Sequence, residues 1–174
     1  LVSLVMATNN FTGTIPSIIG NLHALTCLFL SDNNLHGTIP SSIGKLTELV
    51  ELYIYEANLS GSIPSSIGYL SKLIFLFLFS NYLTGSIPTT IKYLTKLTEL
   101  CLEYNFLSGS IPTVVGELQN LHILYLSLNQ LTGTIPSTIG NLTLMVDLLL
   151  QKNKLTGTIP DAIGKLSSLY YLYV

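Results

Sequence analysis

Two carboxylates, Glu99 and Glu103, are the first residues in this chain that could do acid–base chemistry. Paired Asp or Glu side chains hydrolyse glycosidic bonds when they stand about 5–9.5 Å apart. These two lie in one extended segment, and strand rise over their spacing separates them by about 13 Å. Nothing around them implies an enclosing pocket. The three histidines, His23, His36 and His122, show no metal-ligand spacing. Cys27 and Cys101 stand alone. No catalytic residue, metal or cofactor is expected, and the chain reads as a non-enzyme. What remains is recognition chemistry: aromatic side chains, acids near them, and three N-x-S/T sequons.

The elements that must position these residues are set by a strict period. Pro16, Pro40, Pro64, Pro88, Pro112, Pro136 and Pro160 are each 24 residues apart and are the only prolines. Gly13, Gly37, Gly61, Gly85, Gly109, Gly133 and Gly157 share one phase; Gly20, Gly44, Gly68, Gly116, Gly140 and Gly164 share another. Such self-similarity means one unit stacked on copies of itself. The units are 1–24, 25–48, 49–72, 73–96, 97–120, 121–144 and 145–168, with a partial repeat at 169–174. Together they make one domain.

Composition narrows the class. Hydrophobic residues are 48% of the chain and charged residues 9%, against roughly 25% charged in ordinary soluble domains. Disorder needs the opposite balance. The cations are seven lysines with no arginine, and net charge is -2, so nucleic acid is excluded as a partner. The longest apolar run, Leu73 to Phe79, is far short of the ~20 residues of a transmembrane helix. The opening Leu1–Met6 lacks a charged start and a cleavage site, and fits the repeat register; it reads as structure. Cys27 and Cys101 sit three repeats apart, or roughly 14 Å at one strand per repeat, so both are expected to be free thiols.

Within a repeat, Leu25, Leu28, Leu30, Asn33 and Leu35 spell LxxLxLxxNxL, followed by LxGxIPxxIGxL through Gly37, Ile39, Pro40, Ile43, Gly44 and Leu46. The chain resembles the plant-type leucine-rich repeat subclass found in receptor-kinase ectodomains and polygalacturonase-inhibiting proteins. The resemblance covers every repeat. It implies a right-handed, curved solenoid of the α/β repeat class, with a parallel concave sheet and a mostly irregular or 3-10 convex side. The residues support this on their own. LxL is a short strand with alternate side chains inward, and no single repeat can close the core without its neighbours. Asn9, Asn33, Asn81, Asn105, Asn129 and Asn153 form a ladder whose amides should bond backbone groups where the chain turns. Ala57 replaces the ladder asparagine in the third repeat, and Lys92 replaces a glycine in the fourth. Both glycine phases are expected to supply positive φ at bends.

Outward strand positions line the concave face. There Phe75, Phe77 and Phe79 of the fourth repeat should gather with Phe29, Tyr53, Tyr55, Tyr104 and Tyr125, beside the acids Glu51, Glu99 and Glu103. Exposed aromatic patches mark interaction surfaces. A simpler role for the rings is to shield the sheet and stack across strands. The expected partner is a protein, peptide or glycan, with basic or hydroxyl groups suiting the acids.

Asn10, Asn58 and Asn141 begin the sequons and should be exposed, as in a secreted or cell-surface glycoprotein. Neither end carries a cap, so the chain is read as a segment of a longer one, or one that self-associates through its open ends. Two further readings are a structural glycoprotein joined end to end, and an ice-binding solenoid. The second would use the Thr and Ser ranks around the first glycine phase, such as Thr132 and Thr134. The leading expectation is a non-enzymatic extracellular recognition scaffold resembling part of a receptor ectodomain.

Overall fold

The computed structural model describes all residues, Leu1–Val174. Each repeat contributes one three-residue strand, from Ser3–Val5 to Tyr171–Tyr173, to a single parallel sheet of eight strands in sequence order. The register between strands is one repeat: Leu28 pairs with Leu52, Leu52 with Leu76, and Leu100 with Leu124. Each of these leucines is fully or almost fully buried. A strand's period of two therefore sends one leucine column inward and leaves its flanking columns outward.

The return path is a 3-10 turn in every repeat, for example Ser41–Lys45. Pro40 starts it with φ -69 and ψ 141, an extended conformation that proline's ring favours. Its carbonyl accepts from Ile43, the Ile43 carbonyl from Leu46, and the Leu46 carbonyl from Leu49. Three residues per turn place side chains at that spacing on one side. Ile43, Leu46 and Leu49 accordingly all point inward and are fully buried. The buried side chains form one continuous cluster from Ile15 to Leu166, so no repeat owns a separate core.

The asparagine ladder is where the rungs are tied. Asn105 donates through Nδ2 to the Leu102 and Glu103 carbonyls of its own turn and to Leu78 of the previous rung. Its Oδ1 accepts the Leu83 N–H at 2.9 Å. Asn33, Asn81 and Asn129 repeat this pattern, and Asn153 repeats most of it. Asn9 is exposed and bonds only the carbonyls of Met6 and Ala7. The residue before each ladder position is left-handed, as at Tyr104 (φ 55). At Ala57 the side-chain bonds are missing, and Asn58 adds a second left-handed residue (φ 52) found in no other repeat.

The two glycine phases turn out to have different causes, which corrects the expectation of two bends. The first phase has positive φ, as at Gly37 (φ +80). The second does not. There the glycine lets adjacent 3-10 turns approach: a Cβ on Gly68 would meet the Thr90 carbonyl oxygen at 2.5 Å. Lys92 occupies this position in the fourth repeat. Its turn, Thr89–Tyr93, packs less closely on the next, Thr113–Glu117, than the other adjacent pairs do.

Asn105→Ala should lower the unfolding free energy by about 3 kcal/mol, because it leaves the buried Leu83 N–H without an acceptor and the Leu78, Leu102 and Glu103 carbonyls without the Nδ2 donor. Ala57→Asn should act in the opposite sense, by roughly 1 kcal/mol. Urea unfolding of the three proteins measures both.

Candidate functional site

The concave sheet places residues one repeat apart side by side, and this brings six rings together. Phe29 meets Tyr53 edge-on at 4.4 Å between centroids, and Tyr53 meets Phe77 at 4.7 Å. Tyr55 and Phe79 stack at 4.4 Å with planes 6° apart. Phe75 closes the group, 6.4 Å from Tyr53 and 6.3 Å from Phe77. All six are half-buried. They do shield one another, as cross-strand pairs do, but they also leave a hollow of about 280 Å³ between Phe29, Tyr53, Tyr55, Phe77 and Phe79, floored by Ala7 and Ser31. That volume lies just below the ~300–1,000 Å³ of small-molecule sites. It suits a side chain better than a whole ligand.

Two of the expected aromatics lie elsewhere. Tyr104 takes the left-handed position beside the ladder and faces the flank, where it lines a different cavity with Tyr82 and Phe106. Turn geometry moves it off the strand's outward columns. Tyr125 is on the concave face but beyond Cys101. It donates to the Asp147 carboxylate at 3.0 Å and borders a second hollow with Leu149, Tyr171 and Tyr173. Burial, then the hydrogen bond to Asp147, raises its phenol above the usual range.

The acids follow the rings along the same face. Burial pushes the Glu103 carboxyl up to about 7, opposed only by a hydrogen bond from its own backbone N–H. Its Oε2 is buried without a partner, as are Asp147 Oδ1 and Gln151 Oε1. Burial also raises Glu99, with His122 pulling the other way. Burial and then the nearby Glu51 and Glu99 push Tyr53 up to about 12. Cys101 is buried and free, with its thiol raised by burial and by Glu103 and Glu99; Cys27 is also free. No group of three His, Cys, Asp or Glu side chains is placed to hold a metal ion.

All three sequon asparagines are exposed. Asn141 ends the 3-10 turn Ser137–Asn141 on the convex side. Asn10 and Asn58 lie on the flank, and Asn58 Nδ2 donates to Asn34 Oδ1 at 3.0 Å. Sequence reasoning missed a feature of this flank. Tyr82 and Phe106 stand there with near-parallel rings, 10° apart in plane and 6.1 Å between centroids. Their shared phase with Asn10, Asn34 and Asn58 was the available signal.

This fold, with a ringed concave face and a flank of exposed polar side chains, defines a leucine-rich repeat solenoid. The Leucine Rich Repeat family matches residues 1–22, 24–46, 96–118, 120–142 and 145–166, more than half of the chain. The chain belongs to that family. The unmatched stretch holds the two departures from the pattern, Ala57 and Lys92. No curated protein sequence matches. Among solved structures, the chain is similar to the ectodomain of the plant membrane receptor kinase GASSHO1/SCHENGEN3 from Arabidopsis thaliana in complex with Casparian strip integrity factor 2. The TM-score is 0.97 at 40% identity, over 98% of this chain and 20% of that one. It is also similar to the Arabidopsis receptor kinase HAESA in complex with the peptide hormone IDA and the co-receptor SERK1, with TM-score 0.93 and 38% identity over 99% of this chain and 29% of that one. A plant ice-binding protein superposes with TM-score 0.86 at 31% identity, over 98% of this chain and 63% of it. The chain thus spans less than a third of the two receptor chains. No helix in it is long and apolar enough to cross a membrane.

Because the folded state holds the Glu103 proton up to about pH 7 and the unfolded state releases it near 4.5, its contribution to stability falls as pH rises between those values. Glu103→Gln should therefore melt higher than the parent protein at pH 8 and close to it at pH 4. Melting curves at the two pH values check this.

Proposed function

We propose that this chain is a non-enzymatic extracellular recognition scaffold that binds a peptide or an extended protein segment along its concave face. The observation that carries the reading is the hollow framed by Phe29, Tyr53, Tyr55, Phe77 and Phe79, with Phe75 at its edge. An apolar or aromatic ligand side chain fills it. Glu51, Glu99 and Glu103 lie on the same face, beyond the rings for the last two. They favour a ligand that carries lysine or arginine on the C-terminal side of the hollow. The complex of HAESA with the peptide hormone IDA supports the class of ligand. The GASSHO1/SCHENGEN3 structure being an ectodomain supports the extracellular setting.

A selection of random peptides displayed on phage tests this. Selected peptides should bind the Phe77→Ala, Phe79→Ala double variant at least about thirtyfold more weakly, the scale of a buried aromatic hot spot (about 2 kcal/mol or more). Tyr69→Ser, on the exposed end of a convex turn, should leave them unchanged. Their affinity should also rise between pH 6 and 8 as Glu103 ionises. Peptides that bind both variants equally would remove the concave site.

A second reading, ice binding, has one observation in its favour, the likeness to a plant ice-binding protein. The Thr and Ser ranks are exposed along the flank. Tyr82 and Phe106 protrude from the middle of the same flank, more than two-fifths exposed each, and interrupt a flat face. Thr134→Leu separates the readings. Altered ice-crystal growth relative to the parent protein would favour the ice reading, and unchanged growth would reject it.

A further inference from the structure

We infer that an N-linked glycan on Asn58 folds back onto the protein and seats its first sugars on the rings of Tyr82 and Phe106. The inference rests on the extracellular reading above. Three observations meet at this place. Asn58 opens an Asn58-Leu59-Ser60 sequon and is exposed. It lines one cavity of about 420 Å³ together with Ser80, Tyr82, Tyr104 and Phe106. And Tyr82 and Phe106 occupy the same repeat position as Asn58 in the next two rungs.

The geometry is directional. On one side of Asn58 is Asn34, whose Oδ1 accepts one of the two amide hydrogens of Asn58 Nδ2. The other hydrogen is the one a glycosidic bond replaces. On the opposite side the rungs advance by about 4.8 Å each. A chain of sugars leaving Nδ2 in that direction crosses Tyr82 first and Phe106 second. The two rings are near-parallel, 10° apart in plane, so both present their faces the same way. Their centroids stand 6.1 Å apart in a stacked arrangement, within the range of interacting aromatic pairs, and both rings remain about half exposed. Aromatic faces carry negative potential, and the C–H groups on one face of a pyranose ring are apolar and weakly positive. Ser80 and Tyr104 line the same cavity and carry hydroxyls that pair with sugar hydroxyls. Tethering matters as well. A sugar held by a covalent bond next to its seat has an effective concentration in the millimolar range, so a contact too weak to hold a free sugar is occupied.

The other two sequons lack this arrangement and serve as internal controls. The next rung beyond Asn10 offers Asn34, and beyond Asn141 it offers Lys165. Neither has a ring.

The test uses the whole chain made in a eukaryotic secretory host and, without glycans, in bacteria. Glycopeptide mass spectrometry reads occupancy. Asn58→Gln is then combined with the double variant Tyr82→Ser, Phe106→Ser in a thermodynamic cycle. In the glycosylated protein, Asn58→Gln should lower Tm by about 2–4 °C beyond its effect in the bacterial protein, the shift expected of roughly 1 kcal/mol in a chain of this size. That excess should vanish when the two rings are gone. Asn10→Gln and Asn141→Gln should show no ring-dependent change. An empty Asn58 beside occupied Asn10 or Asn141 would overturn the inference, as would an Asn58 excess that survives loss of the rings. Dimerisation by light scattering that depends on Tyr82 and Phe106 would give the rings to a second copy and overturn it too. Peptide binding on the concave face is read separately, so failure here leaves that proposal standing and the reverse also holds.

Discussion

Everything in this molecule is subordinate to the spacing of a parallel hydrogen-bonded ladder. Strands in such a ladder lie about 4.8 Å apart, and here every repeat contributes one strand in the same register. The return segments must match that advance. They do so by two devices that act at opposite ends of the turn. Asparagine amides bond carbonyls in their own rung and the previous one. Glycines such as Gly68 remove the one carbon that would hold the 3-10 turns apart, since a Cβ there would stand 2.5 Å from a carbonyl oxygen. Where one device is absent the structure changes locally. Ala57 is accompanied by an added left-handed residue, and Lys92 by looser packing of its turn.

The same spacing explains the candidate site. Residues 24 apart in sequence become immediate neighbours, so aromatic residues scattered over three repeats condense into one group on the concave face. A single repeat could not present such a surface. The flank follows the same rule with a different column, which is how Asn58 comes to share a cavity with Tyr82 and Phe106.

Charge plays little part in holding the solenoid together. The only ion pair, Lys72 with Glu48 at 2.6 Å, joins two exposed side chains, and such pairs are worth about 0–1 kcal/mol. Stability comes from the shared leucine interior and from the asparagine bonds. The partly buried carboxylates of Glu99 and Glu103 work against it, because burial disfavours their charged forms.

Much of this was legible in the residues alone. The period of the prolines, glycines and leucines specified the stacked unit, because each repeat's apolar face is incomplete without its neighbours. Strand alternation also assigned Phe29, Tyr53, Phe75 and Phe77 to the concave face, since a period of two leaves no other choice. Other features depended on three-dimensional packing. Tyr104 follows the strand closely enough to read as part of that face, yet its left-handed backbone turns it to the flank. The two glycine phases look equivalent as letters, but only the stacking of the 3-10 turns makes one a matter of φ and the other a matter of space. The Glu103 carboxyl is likewise an ordinary acid in the sequence, and its raised pKa exists only because folding withdraws it from water.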